Sequence, residues 1–125
     1  AARLGLGYAY TGLKRMVSIL GVAKASEVFF TASVYTAAQA HALGLVNSLH
    51  DDVFEHAQNL AAQIAQNAPL TIAAAKLAMN TVMAGSDPDQ VARVDQAVKG
   101  CFASKDYAEG RAAFAEKRDP VFKGE

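Results

Sequence analysis

Residues 36–47 read TAAQAHALGLVN. Thr36 followed three positions later by Gln39 is a capping-box pattern: the hydroxyl accepts an amide of the first turn, and the glutamine side chain reaches back to the cap amide. Gly44 supplies the left-handed residue on which many helices end. The stretch predicts a helix of about two turns, closed at both ends by local chemistry. The residues that follow, 45–48, form a short extended segment on which no sheet can be built. A helix so short and so sharply bounded implies a chain of helices joined by short loops.

The same grammar extends in both directions. On the N-terminal side Leu13, Met16, Val17 and Leu20 recur at i, i+3, i+4 and i+7, the period of one helical face. Gly21 stops that helix, and a second helix is expected over 23–31 with Val28 and Phe29 inward. On the C-terminal side Asp52 and Glu55 have the spacing of another N-terminal box. Val53, Phe54, Ala57, Leu60, Ala61 and Ile64 then line one face. Pro69 ends that helix and suits the first turn of the next, which runs to Gly85. Asp87 caps a helix with Pro88 in its first turn, and Val91, Val94, Val98, Cys101 and Phe102 make its expected buried stripe. Ser104 caps the last helix, and Pro120 is expected to close it. Six or seven helices cover nearly all of the chain, so the expected class is mostly α.

Composition narrows the function. With 125 residues the chain has the size of one domain, and 52% of it is apolar. Lys+Arg and Asp+Glu are 12 each, so the basic footprint of a nucleic-acid binder is absent. No run of roughly 18 apolar residues suggests a membrane span. Cys101 is the one cysteine; it reads as a small buried hydrophobe, excludes an internal disulfide, and fits a reducing, cytoplasmic setting. No Cys or His spacing suits a metal. His41, His50 and His56 read as surface or capping residues. Asp106 and Glu109 read as acidic groups in the first turn of the last helix, where they favour its positive end. The first residues, AARLGLGY, lack an initiator Met and read like the middle of a longer protein.

The glycine-spaced opening, LGLGYAYTGLKR at 4–15, resembles a phosphate loop only in outline. Leu13 occupies the lysine position of a Walker loop, no hydroxyl follows Lys14, and Tyr8 and Tyr10 would crowd a backbone cradle. A dinucleotide fingerprint lacks its third glycine. The local reading is a glycine-softened turn feeding a helix.

The order of segments carries more information than any one of them. LGLGYAYTGLKRMVSILG (4–21), ASEVFFTASVYTAAQAHALGLVN (25–47), NAPLTIAAAKLAMN (67–80) and SKDYAEGRAAFAEKRDPVFKGE (104–125) follow in succession. Together they resemble the C-terminal half of the enoyl-CoA hydratase/isomerase (crotonase) family, over essentially all 125 residues. The stretches 36–47 and 106–122 are the specific ones. The resemblance implies the helical C-terminal part of a ClpP/crotonase fold, lacking the ββα spiral core, with 1–125 as one oligomerisation and lid region. It implies acyl-CoA chemistry through an enolate held by backbone amides, with coenzyme A as part of the substrate and no covalently bound cofactor or metal.

The resemblance also identifies residues. The opening loop corresponds to one that flanks the thioester in the family, but only Gly12 of Tyr8-Ala9-Tyr10-Thr11-Gly12 agrees with the family's Pro-Gly-Ala-Gly-Gly. A family glutamate corresponds to Ala1, which has no titratable group and leaves no catalytic residue here. The other glutamate and the oxyanion-hole amides belong to the half that this chain lacks, so the 125 residues alone are expected to be inactive. Phe114 and Lys117, at i and i+3, correspond to a family aromatic and lysine near the CoA moiety, and Val98 to a further apolar contact. From the residues alone Phe114 reads as core and Lys117 as a solvated face. A homo-oligomer, trimer or hexamer, is implied, with acyl-CoA as substrate and no nucleic-acid or membrane partner. The alternative is a non-catalytic helical oligomerisation or CoA-binding module.

Overall fold

A computed structural model describes residues 2–125. The reading of Ala1 lies outside the described residues. A 3₁₀ turn (Ala2–Leu4) precedes six helices: α1 (Tyr10–Thr31), α2 (Ala37–Leu43), α3 (Val53–Ala65), α4 (Pro69–Ala84), α5 (Pro88–Phe102) and α6 (Lys105–Glu116). No strand occurs among the described residues, as expected for a mostly α chain. The helices divide into two compact units, Ala1–Val53 and Phe54–Glu125.

In the first unit Gly21 interrupts α1 with φ 73° and ψ 164°. The backbone is non-helical at Gly21 and the helix resumes directly after it, so α1 consists of the two expected helices joined at a sharp kink. Leu20 and Ala25, on either side of the kink, are buried. The kink lets Tyr8 touch both halves of α1. Its ring meets Phe29 edge-on, 5.3 Å between centroids, and also covers Gly12, where an added Cβ would lie 2.8 Å from Tyr8 Cε1. Gly12 is therefore a seat for an aromatic ring. Gly21 has open space around it, so Gly21→Ala meets only backbone strain. We expect it to lower stability by about 1–3 kcal/mol in denaturant unfolding, because L-residues avoid this conformation.

The box predicted for α2 is present in full. Gln39 N–H donates to Thr36 Oγ1 at 3.3 Å, and Thr36 N–H donates to Gln39 Oε1 at 2.9 Å. Gly44 takes φ 85° and its N–H donates to the carbonyls of Ala40 and His41.

In the second unit α4 and α5 pack against each other across a tight turn. Gly85 at φ 113° ends α4, and the Asp87 side chain caps α5 at the Asp89 amide. Pro69 and Pro88 occupy first-turn positions, as read from the sequence. Ser104 Oγ accepts the Tyr107 amide at 3.0 Å and starts α6. The end of α6 differs from expectation. Lys117 takes φ 55°, and its N–H and that of Arg118 donate to the carbonyls of Phe114 and Ala113. The helix thus stops at Glu116, four residues before Pro120, because the left-handed cap satisfies its last carbonyls there.

The expected buried stripes are the main correction. Among the described residues the buried apolar side chains are Leu20, Ala25, Ala74 and Ala113. On α5, Val91 and Val98 are exposed, and Phe102 is 63% exposed. On α3, Phe54 is 73% exposed, with Val53, Leu60 and Ile64 also open. The helical period correctly picks which side is apolar. It cannot say what covers that side, and within these residues little does.

Candidate functional site

The second unit carries an apolar groove of about 720 Å³ formed by α4, α5 and α6. That volume falls within the range of small-molecule sites. Leu70 and Ala74 come from α4, Val98 and Cys101 from α5, and Tyr107 and Phe114 from α6. Phe102 and Tyr107 meet edge-on at 5.2 Å. Cys101 is half-buried in this wall rather than fully buried.

The groove brings two of the three sequence-predicted contacts together. Phe114, 87% exposed, and Val98 both line it. Phe114 is therefore not the core residue that its spacing alone suggested. Lys117 is outside the lining. It is the C-cap residue of α6, with a left-handed backbone at φ 55°.

One wall of the groove is held by carboxylates that the sequence presented as simple helix-end charges. Asp106 is 4% exposed. Its Oδ1 accepts the Lys123 amide at 2.7 Å and its Oδ2 the Gly124 amide at 2.8 Å. Glu109 accepts Arg118 through both oxygens, at 2.6 and 2.9 Å, and the Val121 amide at 2.9 Å. The two acids, one turn apart on α6, bracket Phe122. The Phe122 ring lies against Gly110, 3.5 Å from where a Cβ would stand, and joins the groove lining. Residues 118–125 are thus stapled back along α6.

The hydrogen bonds from Arg118, followed by that from Val121 N–H, pull the Glu109 carboxyl down to about 2. Because this lies below the ordinary value of 4.5, the staple is fully made above that value and is lost as pH falls through about 2. The Val121 amide chemical shift should therefore titrate with a midpoint near 2, and Glu109→Gln should abolish the step. At neutral pH the staple does not respond to pH.

Among the described residues no three His, Cys, Asp or Glu side chains are placed to hold a metal ion. His41 lies in the last turn of α2. Arg111 and Tyr107 are groove residues that the sequence reading passed over; an aromatic and a cation at i and i+4 on one face were the available signal.

A family model described as enoyl-CoA hydratase/isomerase matches residues 1–125. The chain is 36% identical over 124 residues to the Homo sapiens mitochondrial protein called enoyl-CoA hydratase domain-containing protein 2, covering 90% of this chain and 41% of that one. It is 31% identical over 125 residues to methylmalonyl-CoA decarboxylase of Escherichia coli, covering 97% and 48%. The crystal structure of an enoyl-CoA hydratase from Bacillus anthracis matches with a TM-score of 0.82 at 31% identity, over 98% of this chain and 48% of that one. The chain spans less than half the length of each of these relatives, and its match to the crotonase-fold structures falls in their C-terminal half.

Proposed function

We infer the function from one premise: this chain belongs to the enoyl-CoA hydratase/isomerase family. It forms the helical C-terminal part of a protein that acts on acyl-CoA thioesters through an enolate held by backbone amides. Those amides and the partner glutamate are not among these residues, so the 125 residues by themselves are inactive. Coenzyme A enters as part of the substrate, and no other cofactor is needed. The observation that carries this reading is the likeness to a solved enoyl-CoA hydratase across nearly the whole chain.

Phe114, Lys117 and Val98 face the CoA moiety in this reading, and two of them, Phe114 and Val98, share one groove. A homo-oligomer, trimeric or hexameric, and a cytoplasmic setting belong to the same reading. No helix among the described residues is long and apolar enough to cross a membrane.

Ala1 at the glutamate position weighs against efficient hydration. A positioned acid or base contributes about 10²–10⁴ in rate. The protein expressed from its complete reading frame should therefore hydrate crotonyl-CoA slower than a two-glutamate relative by a factor of that order. Hydration at the relative's rate would contradict the weight placed on Ala1. Turnover of no acyl-CoA, with CoA still bound, would favour the non-catalytic module.

A further inference from the structure

We propose that residues 118–125 are a strap that sets how far the α4–α6 groove extends, with Phe122 as the side chain that closes its end. The proposal concerns the shape of the groove and does not depend on the acyl-CoA reading above.

The groove needs something to hold α6 in place. Helix α4 packs broadly on α5, whereas α6 meets α5 along a short contact. The tail supplies a further link, because it touches both outer walls. On α6, Phe122 lies against Gly110, 3.5 Å from where a Cβ would stand. Two residues on, Gly124 lies against the first turn of α4, where an added Cβ would stand 3.6 Å from Pro69 Cβ. Ala68 and Leu70, on either side of Pro69, line the groove, as does Phe122. The chain therefore crosses from α6 to the start of α4 at one end of the groove and places an aromatic ring there.

Anchoring and closing are done by different atoms. The anchors are mostly main-chain groups. The Val121 amide donates to Glu109, and the Lys123 and Gly124 amides donate to Asp106. The Asp106 amide in turn donates to the Glu125 carbonyl at 3.1 Å. Arg118 adds its side-chain bonds to Glu109. The Phe122 ring takes no part in these bonds. It is half-buried and rests on Gly110 and the groove. Replacing Phe122 thus removes the end wall and leaves the strap tied. Short apolar groups fit the groove as it stands, and longer ones meet the ring.

Cys101 lines the same groove and can report its reach. The test is the rate at which methyl and octyl methanethiosulfonate modify Cys101 in the protein from its complete reading frame, read as the mass of the Cys101 peptide. The thiolate attacks the sulfenyl sulfur of the reagent, a mixed disulfide forms and methanesulfinate leaves. Wild type should react faster with the methyl reagent. Phe122→Ala should raise the octyl rate roughly tenfold, the factor given by burying about two further methylene groups, and leave the methyl rate unchanged. Asp106→Ala, which frees the strap, should raise the octyl rate at least as much. An octyl rate unchanged in either variant would overturn the proposal. So would a rise in Phe122→Ala shared equally by both reagents, which marks general loosening rather than a removed wall. A Cys101 that neither reagent reaches in any variant would also overturn it, because something other than the strap then closes the groove. None of these outcomes bears on acyl-CoA turnover.

Discussion

Asp106→Ala should release residues 118–125 from α6 and destabilise the protein by about 2–4 kcal/mol, a fall in Tm on the order of 10 °C. The carboxylate is buried and accepts two amides at 2.7 and 2.8 Å. A net contribution of about 1–2 kcal/mol for each charge-assisted bond sets the size of the effect. Alanine offers no acceptor, so the Lys123 and Gly124 amides must turn to water, and the tail must leave α6 to reach it. Asp106→Asn keeps one carbonyl oxygen but points an N–H₂ at the second amide, so it should cost less than alanine but more than half a kcal/mol. Denaturant unfolding measures the loss, and proteolysis within 118–125 reports the release. An alanine variant as stable as wild type, with the tail still protected, would show that the staple holds nothing.

A comparably large effect is expected on assembly. Large apolar side chains stand exposed on recognisable faces, among them Phe54, Leu60 and Ile64 on α3. Covering a large apolar side chain is worth about 1.5–3 kcal/mol. Placing a carboxylate in such a contact adds a desolvation cost. Phe54→Glu should therefore weaken self-association by at least about 10²-fold. Concentration-dependent sedimentation measures this, and Phe54→Ser separates lost contact from added charge. If neither substitution changes association, the α3 face is not in the interface.

The parts of this fold that were readable in the sequence are those with local causes. The Thr36/Gln39 box, the Gly44 and Gly85 stops, the proline starts of α4 and α5 and the Ser104 cap each depend on residues within one turn. Lys117 shows the limit. Pro120 restricts its predecessor but does not fix which earlier residue turns left-handed, and a lysine carries no signal for φ 55°. The Asp106 and Glu109 staples join residues up to eighteen apart, and a first-turn acid looks the same whether it meets a helix end or a returning tail. Phe114 and Val98 could be named only through resemblance. Their shared groove and the Arg111 beside it required coordinates. The stripes read as buried on α3 and α5 are largely exposed, because periodicity marks an apolar face but does not reveal what covers it.

These helices carry apolar faces that the described residues leave exposed, and the central proposal is that assembly covers them. Light scattering coupled to size exclusion, run on the protein from its complete reading frame across a range of concentrations, reads that directly. A molar mass at three or six times the chain mass is the expected result. A monomer that persists undiluted to the highest concentration would contradict it.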